Sequence, residues 1–203
     1  MPMRLPLLRL VLSAAALLGC ATRTPAAAVS PAPAAAAVAA GPTVIVVRHA
    51  EKASAASDDP ALSAAGEARA AALADLLGGG RVTGIVVTQF RRSRQTAAPL
   101  AARRGLTPIV VPAANPIAAH EAAVAAAARG AGGPGDTVVV VAHSNTVAGI
   151  VHALGGAQLP DLCDRQYASI FTVAPQADGS VRVAQSTYGA ADPADATSCH
   201  VGP

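Results

Sequence analysis

Aromatic residues make up 2% of this 203-residue chain, and tryptophan is absent. That leaves little with which to stack the bases of single-stranded nucleic acid. Charged residues are also sparse, at 13% against 52% hydrophobic, so the chain is unlike the weakly hydrophobic, highly charged proteins that stay disordered. Beyond the N-terminus there is no long run of Leu, Ile, Phe and Val of the kind that crosses a bilayer; alanine carries much of the mean hydropathy of +0.43. Cysteines number three, too few for a cross-linked miniature scaffold, and a chain of this length can bury a core without one. A strong excess of positive charge is missing too. The formal charge is +3, but Arg4 and Arg9 lie within the first 19 residues; without them, 13 basic residues face 12 acidic ones. A near-neutral chain gives no electrostatic reason to bind nucleic acid or an anionic lipid surface.

What is present begins with an apolar run over residues 5–18, flanked and interrupted by Arg4 and Arg9 and too short to span a bilayer comfortably. Leu17-Leu18-Gly19-Cys20 follows and resembles the bacterial lipobox. That resemblance implies removal of residues 1–19 as a signal peptide and lipidation of Cys20. With Ala21 rather than Asp next, the expected location is the periplasm, anchored to the outer membrane by the lipid alone. An ordinary secretory signal is the alternative. Residues 20–42 are then the lipidated cysteine and an Ala/Pro-rich, semi-extended tether. In an oxidising compartment the two remaining cysteines, Cys163 and Cys199, are candidates for a disulfide, with two unpaired thiols as the alternative.

The pattern changes at Thr43. The β-branched runs at residues 43–47, 84–88, 108–111 and 137–141 suit parallel strands buried on both faces. Ala-rich helical segments over about 64–79, 93–104 and 118–129 alternate with them. A further helix follows Ser144, with Val147, Ile150, Val151 and Leu154 at i, i+3, i+4 and i+7 and Gly155 placed to end it. Later strands at about 168–174 and 181–187 flank an Asp178-Gly179 hairpin turn. The expected fold is α/β, a mostly parallel sheet with helices on both faces, over residues 43–190, with a tail over 191–203.

In such sheets, ligands bind beyond the carboxyl ends of the strands. The residues there are Arg48-His49, Gln89 to Arg94, and His143-Ser144-Asn145. Cations and imidazoles gathered at one edge suit a dianion such as phosphate.

Four stretches sharpen this expectation: Val46-Val47-Arg48-His49-Ala50-Glu51-Lys52, Leu62-Ser63-Ala64-Ala65-Gly66-Glu67-Ala68-Arg69-Ala70, Thr88-Gln89-Phe90-Arg91-Arg92-Ser93-Arg94-Gln95-Thr96-Ala97, and Val139-Val140-Val141-Ala142-His143-Ser144-Asn145-Thr146-Val147. In this order they resemble the histidine phosphatase superfamily, of phosphoglycerate mutase-like fold, in its small phosphatase type. The resemblance implies a phosphatase acting on a small phosphorylated substrate, with no metal or other cofactor. His49 would attack phosphorus and form a phosphohistidine. Arg48, Arg92 and His143, the last if protonated, would surround the phosphoryl oxygens. Spacing to Thr96 favours Arg92 over Arg91 and Arg94. Ser144 and Asn145 would offer a helix start to the phosphate, and Lys52 would meet an anionic substrate; Glu51 and Lys52 otherwise form a charged loop pair. Glu121 is the expected proton donor, with His120 and Asp164 as other candidates. The Glu-Arg-x-Tyr-Gly stretch of the mutase branch and the His-Asp of the acid phosphatase branch are both missing, so a mutase is not expected. The competing class is a binding protein of the same fold, a pseudo-phosphatase that holds a phosphorylated ligand without turning it over. Neither the substrate nor the oligomeric state is legible.

Overall fold

The computed structural model describes residues 41–54 and 57–197. The expectations for the signal peptide, Cys20, the tether as far as residue 40, and Cys199 lie outside the described residues.

Six strands form one sheet in the order β3-β2-β4-β1-β5-β6. They are β1 (Thr43–Arg48), β2 (Val82–Val87), β3 (Ile109–Val110), β4 (Thr137–Ala142), β5 (Ser169–Pro175) and β6 (Val181–Thr187). The helices are α1 (Ala64–Leu77), α2 (Arg91–Arg104), α3 (Ile117–Gly130) and α4 (Val147–Ala153). β4 lies parallel between β1 and β2, in register from Thr43↔Thr137 to Arg48↔Ala142. That register brings the exits of β1 and β4 side by side.

Alternation along the strands splits the core in two, because successive side chains point to opposite faces. Val44, Val46, Val138, Val140, Phe171 and Val173 pack beneath α3 and α4 with Val124, Ile150 and Val151. Ile45, Val47, Ile85, Val87, Val139 and Val141 pack beneath α1 and α2 with Leu73, Leu100 and Tyr188. Short β-branched side chains suffice in β1, β2 and β4 because these central strands are covered on both sides.

Three elements depart from expectation. β3 has two residues and lies at the sheet edge, with Ile109 and Val110 exposed, whereas its sequence reads as a buried strand. A run that short cannot distinguish an edge from a centre. α4 begins at Val147, not directly after Ser144, because Thr146 closes a turn on His143: its hydroxyl accepts the His143 amide at 3.0 Å. Residues 191–197 pack against the domain. The Asp192 carboxylate accepts the amides of Tyr167 and Ala168 at 2.8 and 3.0 Å, and Ala196 is buried. The β5–β6 hairpin forms as expected, with Gly179 at φ 84°. No helix among the described residues is long and apolar enough to cross a membrane.

Candidate active site

The exits of β1, β2 and β4 open into a cleft of about 380 Å³. Its lining includes Arg48, His49, Lys52, Arg92, His143, Ser144, Asn145 and Asp164 from the sequence-based expectation. Phe90, Thr146 and His120 complete much of the wall.

The first two turns of α2 hold this edge together. Ser93 Oγ donates to the Val141 carbonyl at 2.8 Å and accepts the Thr88 amide at 3.2 Å. Thr96 Oγ1 accepts the Ala50 amide at 2.9 Å and donates to the Arg92 carbonyl at 2.8 Å. Two hydroxyls of one helix therefore tie down the ends of β4, β2 and β1. The helix itself is capped from outside, where Asp59 Oδ1 accepts the Arg91 amide at 2.8 Å.

His49 is 4% exposed and its Nδ1 lies 2.8 Å from the Ala50 carbonyl. A carbonyl can only accept, so Nδ1 carries the proton and Nε2 the lone pair. Burial first of all, and then Arg48, His143 and Arg92, push its pKa down to about 3, against the pull of that hydrogen bond. The ring is thus a neutral base with one committed nitrogen and one free for chemistry.

Arg48 is buried at 3% exposure. Its Nη1 donates to the carbonyls of Cys163, Asp164 and Gln166 at 2.9, 2.9 and 3.1 Å, and its guanidinium stacks 4.0 Å from the Tyr167 ring centroid. Arg92 stacks 4.3 Å from Phe90 and reaches the Asp58 carbonyl at 3.4 Å. Burial lowers the pKa of both, yet a guanidinium remains charged at any working pH. Arg48 Nε, Arg92 Nε and His120 Nε2 are buried with no hydrogen-bond partner among the described residues. Unpartnered buried nitrogens on three residues that line one cleft suit an oxyanion that would complete them.

His143 stands edge-on to His49, centroids 5.3 Å apart, and its Nε2 lies 3.0 Å from Thr88 Oγ1. Burial, then Arg92, His120 and Arg48, lower its pKa to about 4. It is neutral without ligand, so the protonation on which its charge depends is not preformed.

Glu121 does not line the cleft. It lies against α4, where a methyl group at Gly149 would overlap its carboxylate. Burial, with Asp161 adding, raises its pKa. The preceding residue faces the cleft instead, because neighbours on a helix point about 100° apart. Glu51 pairs with Arg69 rather than Lys52, at 2.8 Å, and Arg69 Nη1 reaches the Tyr188 carbonyl at 2.9 Å. Asn145 is not the helix cap; Thr146 is. Arg91 and Arg94 are exposed. The sequence reading also missed Thr88, Ser93, Tyr167 and the cage carbonyls. Only the Ser/Thr-rich start of α2 signalled any of them. Cys163 is disulfide-bonded, and its expected partner lies outside the described residues. No group of three or more His, Cys, Asp or Glu that could hold a metal ion occurs among the described residues.

Comparison with known proteins bears on the fold. Residues 44–119, less than half of the chain, match the model of the histidine phosphatase superfamily, branch 1. No curated protein matches the chain. Among solved structures, a mycobacterial glucosyl-3-phosphoglycerate phosphatase in complex with VO3 is similar at 22% identity and TM-score 0.56, over 74% of this chain and 100% of that one. The protein histidine phosphatase SixA complexed with tungstate is similar at 20% identity and TM-score 0.54, over 71% and 96%. A putative phosphohistidine phosphatase SixA from Agrobacterium tumefaciens is similar at 21% identity and TM-score 0.52, over 74% and 99%. The chain shares their α/β fold.

Proposed function

We propose that this chain is a phosphatase of the histidine phosphatase superfamily, hydrolysing small phosphomonoesters through a phosphohistidine on His49. The observation that carries this reading is the state of His49: a neutral ring, its Nδ1–H held by Ala50, in one cleft with the buried guanidinium of Arg48 and with Arg92. Nucleophilic attack needs that unprotonated Nε2, and the transferring phosphoryl group needs fixed positive charge around its equatorial oxygens.

In the proposed reaction Nε2 attacks phosphorus opposite the leaving oxygen. Arg48 and Arg92 bear the charge on the oxygens, and Ser144, Asn145 and Thr146 line the same wall. A bound dianion favours protonated His143, so its charge would arrive with the substrate. Lys52 stands at the rim for a further anionic group. Envelope anchoring through Cys20 belongs to the same proposal and is supported by the lipobox-like sequence alone.

The full chain is expected to hydrolyse p-nitrophenyl phosphate in the presence of EDTA. His49→Ala should lower the rate by about 1,000-fold or more, and an acid-labile phosphoryl group should be trapped on wild type alone. Phosphate or vanadate binding without turnover would instead favour the binding-protein reading.

A further inference from the structure

We propose that His120 is the proton carrier of this cleft, with Nε2 protonating the leaving oxygen and then accepting a proton from the attacking water. The inference rests on the phosphatase reading above and names the group that Glu121, turned toward α4, does not supply.

His120 lies in the first turn of α3 and is 4% exposed. Its Nδ1 lies 3.0 Å from the Pro112 carbonyl. That oxygen can only accept, so Nδ1 keeps its hydrogen in both charge states and every proton gained or lost passes through Nε2. Nε2 is buried with no hydrogen-bond partner among the described residues, on a residue that lines the cleft. An unmet buried polar atom is costly, a cost relieved when something enters the cleft and meets it. The ring is therefore oriented by one nitrogen and unsatisfied at the other, the arrangement a general acid needs.

The charged and titratable groups facing the same space are Arg48, His49 and Lys52 from β1 and its loop, Arg92 from α2, His143 after β4, and Asp164. Cations dominate this set, which suits a bound phosphate dianion. Asp164 also lines the cleft, but it is exposed and its carbonyl is committed to Arg48.

The step balances as follows. The Nε2 lone pair of His49 forms the N–P bond. The P–O bond to the leaving group breaks with its electron pair on oxygen, and the proton from His120 Nε2 joins that oxygen to give the alcohol. Water then attacks phosphorus, the N–P pair returns to His49, and a water proton passes to His120 Nε2, leaving inorganic phosphate.

The test compares two leaving groups in the full chain. Nitrophenolate leaves without a proton, whereas the alkoxide of glycerol 2-phosphate does not. In His120→Gln and His120→Asn, glycerol 2-phosphate turnover should fall about 100-fold or more. The first equivalent of nitrophenolate should still appear within about threefold of the wild-type rate, followed by slower turnover with phosphate held on His49. Equal losses on both substrates in the first turnover, as misfolding or misplacement would give, overturn the role, and so does the absence of any loss. The leaving-group split appearing in Glu121→Gln or Asp164→Asn, with the His120 variants unaffected, overturns it as well. A wild type no more active than His49→Ala would overturn the phosphatase reading itself.

Discussion

One backbone hydrogen bond gives the two nitrogens of His49 different jobs, and burial keeps the ring neutral. This has a consequence for stability. In the unfolded chain a histidine titrates near 6.5, whereas in the fold His49 is held to about 3 and His143 to about 4. Between those values the unfolded chain binds protons that the native one refuses. The two residues therefore contribute stability that is fully present above pH 6.5 and is lost as the pH falls toward 4. Each costs about 1.4 kcal/mol per pH unit inside that window. Urea midpoints measured from pH 7 to 4.5 should fall more steeply for wild type than for His49→Gln; parallel slopes would mean that the ring is not held neutral. Arg48, His49 and His143 were legible in sequence because each closes a run of buried valines, and the strand end is where such a sheet exposes polar groups. Glu121 was misread because helix phase, not residue type, decides which neighbour faces the cleft.

At the scale of elements, α1 and α2 add only Arg92, with Phe90 just before α2, to the cleft lining, yet they set the position of the β1 exit. α2 does so through Ser93 and Thr96. α1 does so by close approach: Ser63 caps it, accepting the Gly66 amide at 3.2 Å, and the Ser63 amide donates to the Glu51 carbonyl at 2.9 Å. A methyl at Gly66 would collide with that same carbonyl oxygen, a backbone atom that cannot rotate away. Gly66→Ala should therefore cost about 1–3 kcal/mol in chemical denaturation and lower phosphatase activity, since Glu51 is two residues from His49. Gly79→Ala, with no atom near its added methyl, should change neither; equal effects at the two sites would disprove the close approach. The elements were legible because their apolar periods differ so plainly, and the Leu-Ser-x-x-Gly pattern marked the start of α1. The ion pair of Arg69 with Glu51 was not legible, since nothing in either segment says that a helix face and a loop will meet. Only the packed fold brings Arg69 to 4% exposure and so requires a carboxylate beside it.

Across the whole molecule, the parallel centre and the antiparallel hairpin followed from strand spacing, whereas the packing of residues 191–197 did not. A lone Asp192 closing two amides and a lone Ala196 filling a gap leave no periodic trace. This last segment leads toward the expected partner of Cys163, and Cys163 belongs to the cage around Arg48. The carbonyls that accept Arg48 Nη1 come from Cys163, Asp164 and Gln166, and Gln166 Oε1 in turn accepts the Cys163 amide at 2.7 Å. The disulfide at Cys163 thus fastens the loop that aims the buried guanidinium, so a bond far from the chemistry should be felt at the anion site. Reduction of the full chain, or Cys163→Ser, should lower stability by about 2–4 kcal/mol. Inorganic phosphate should also inhibit p-nitrophenyl phosphate hydrolysis severalfold less tightly, because a looser loop lets Arg48 sample orientations that do not meet the oxyanion. If stability falls while the phosphate inhibition constant stays fixed, the cage holds its shape without the disulfide, and the bond acts on the fold alone.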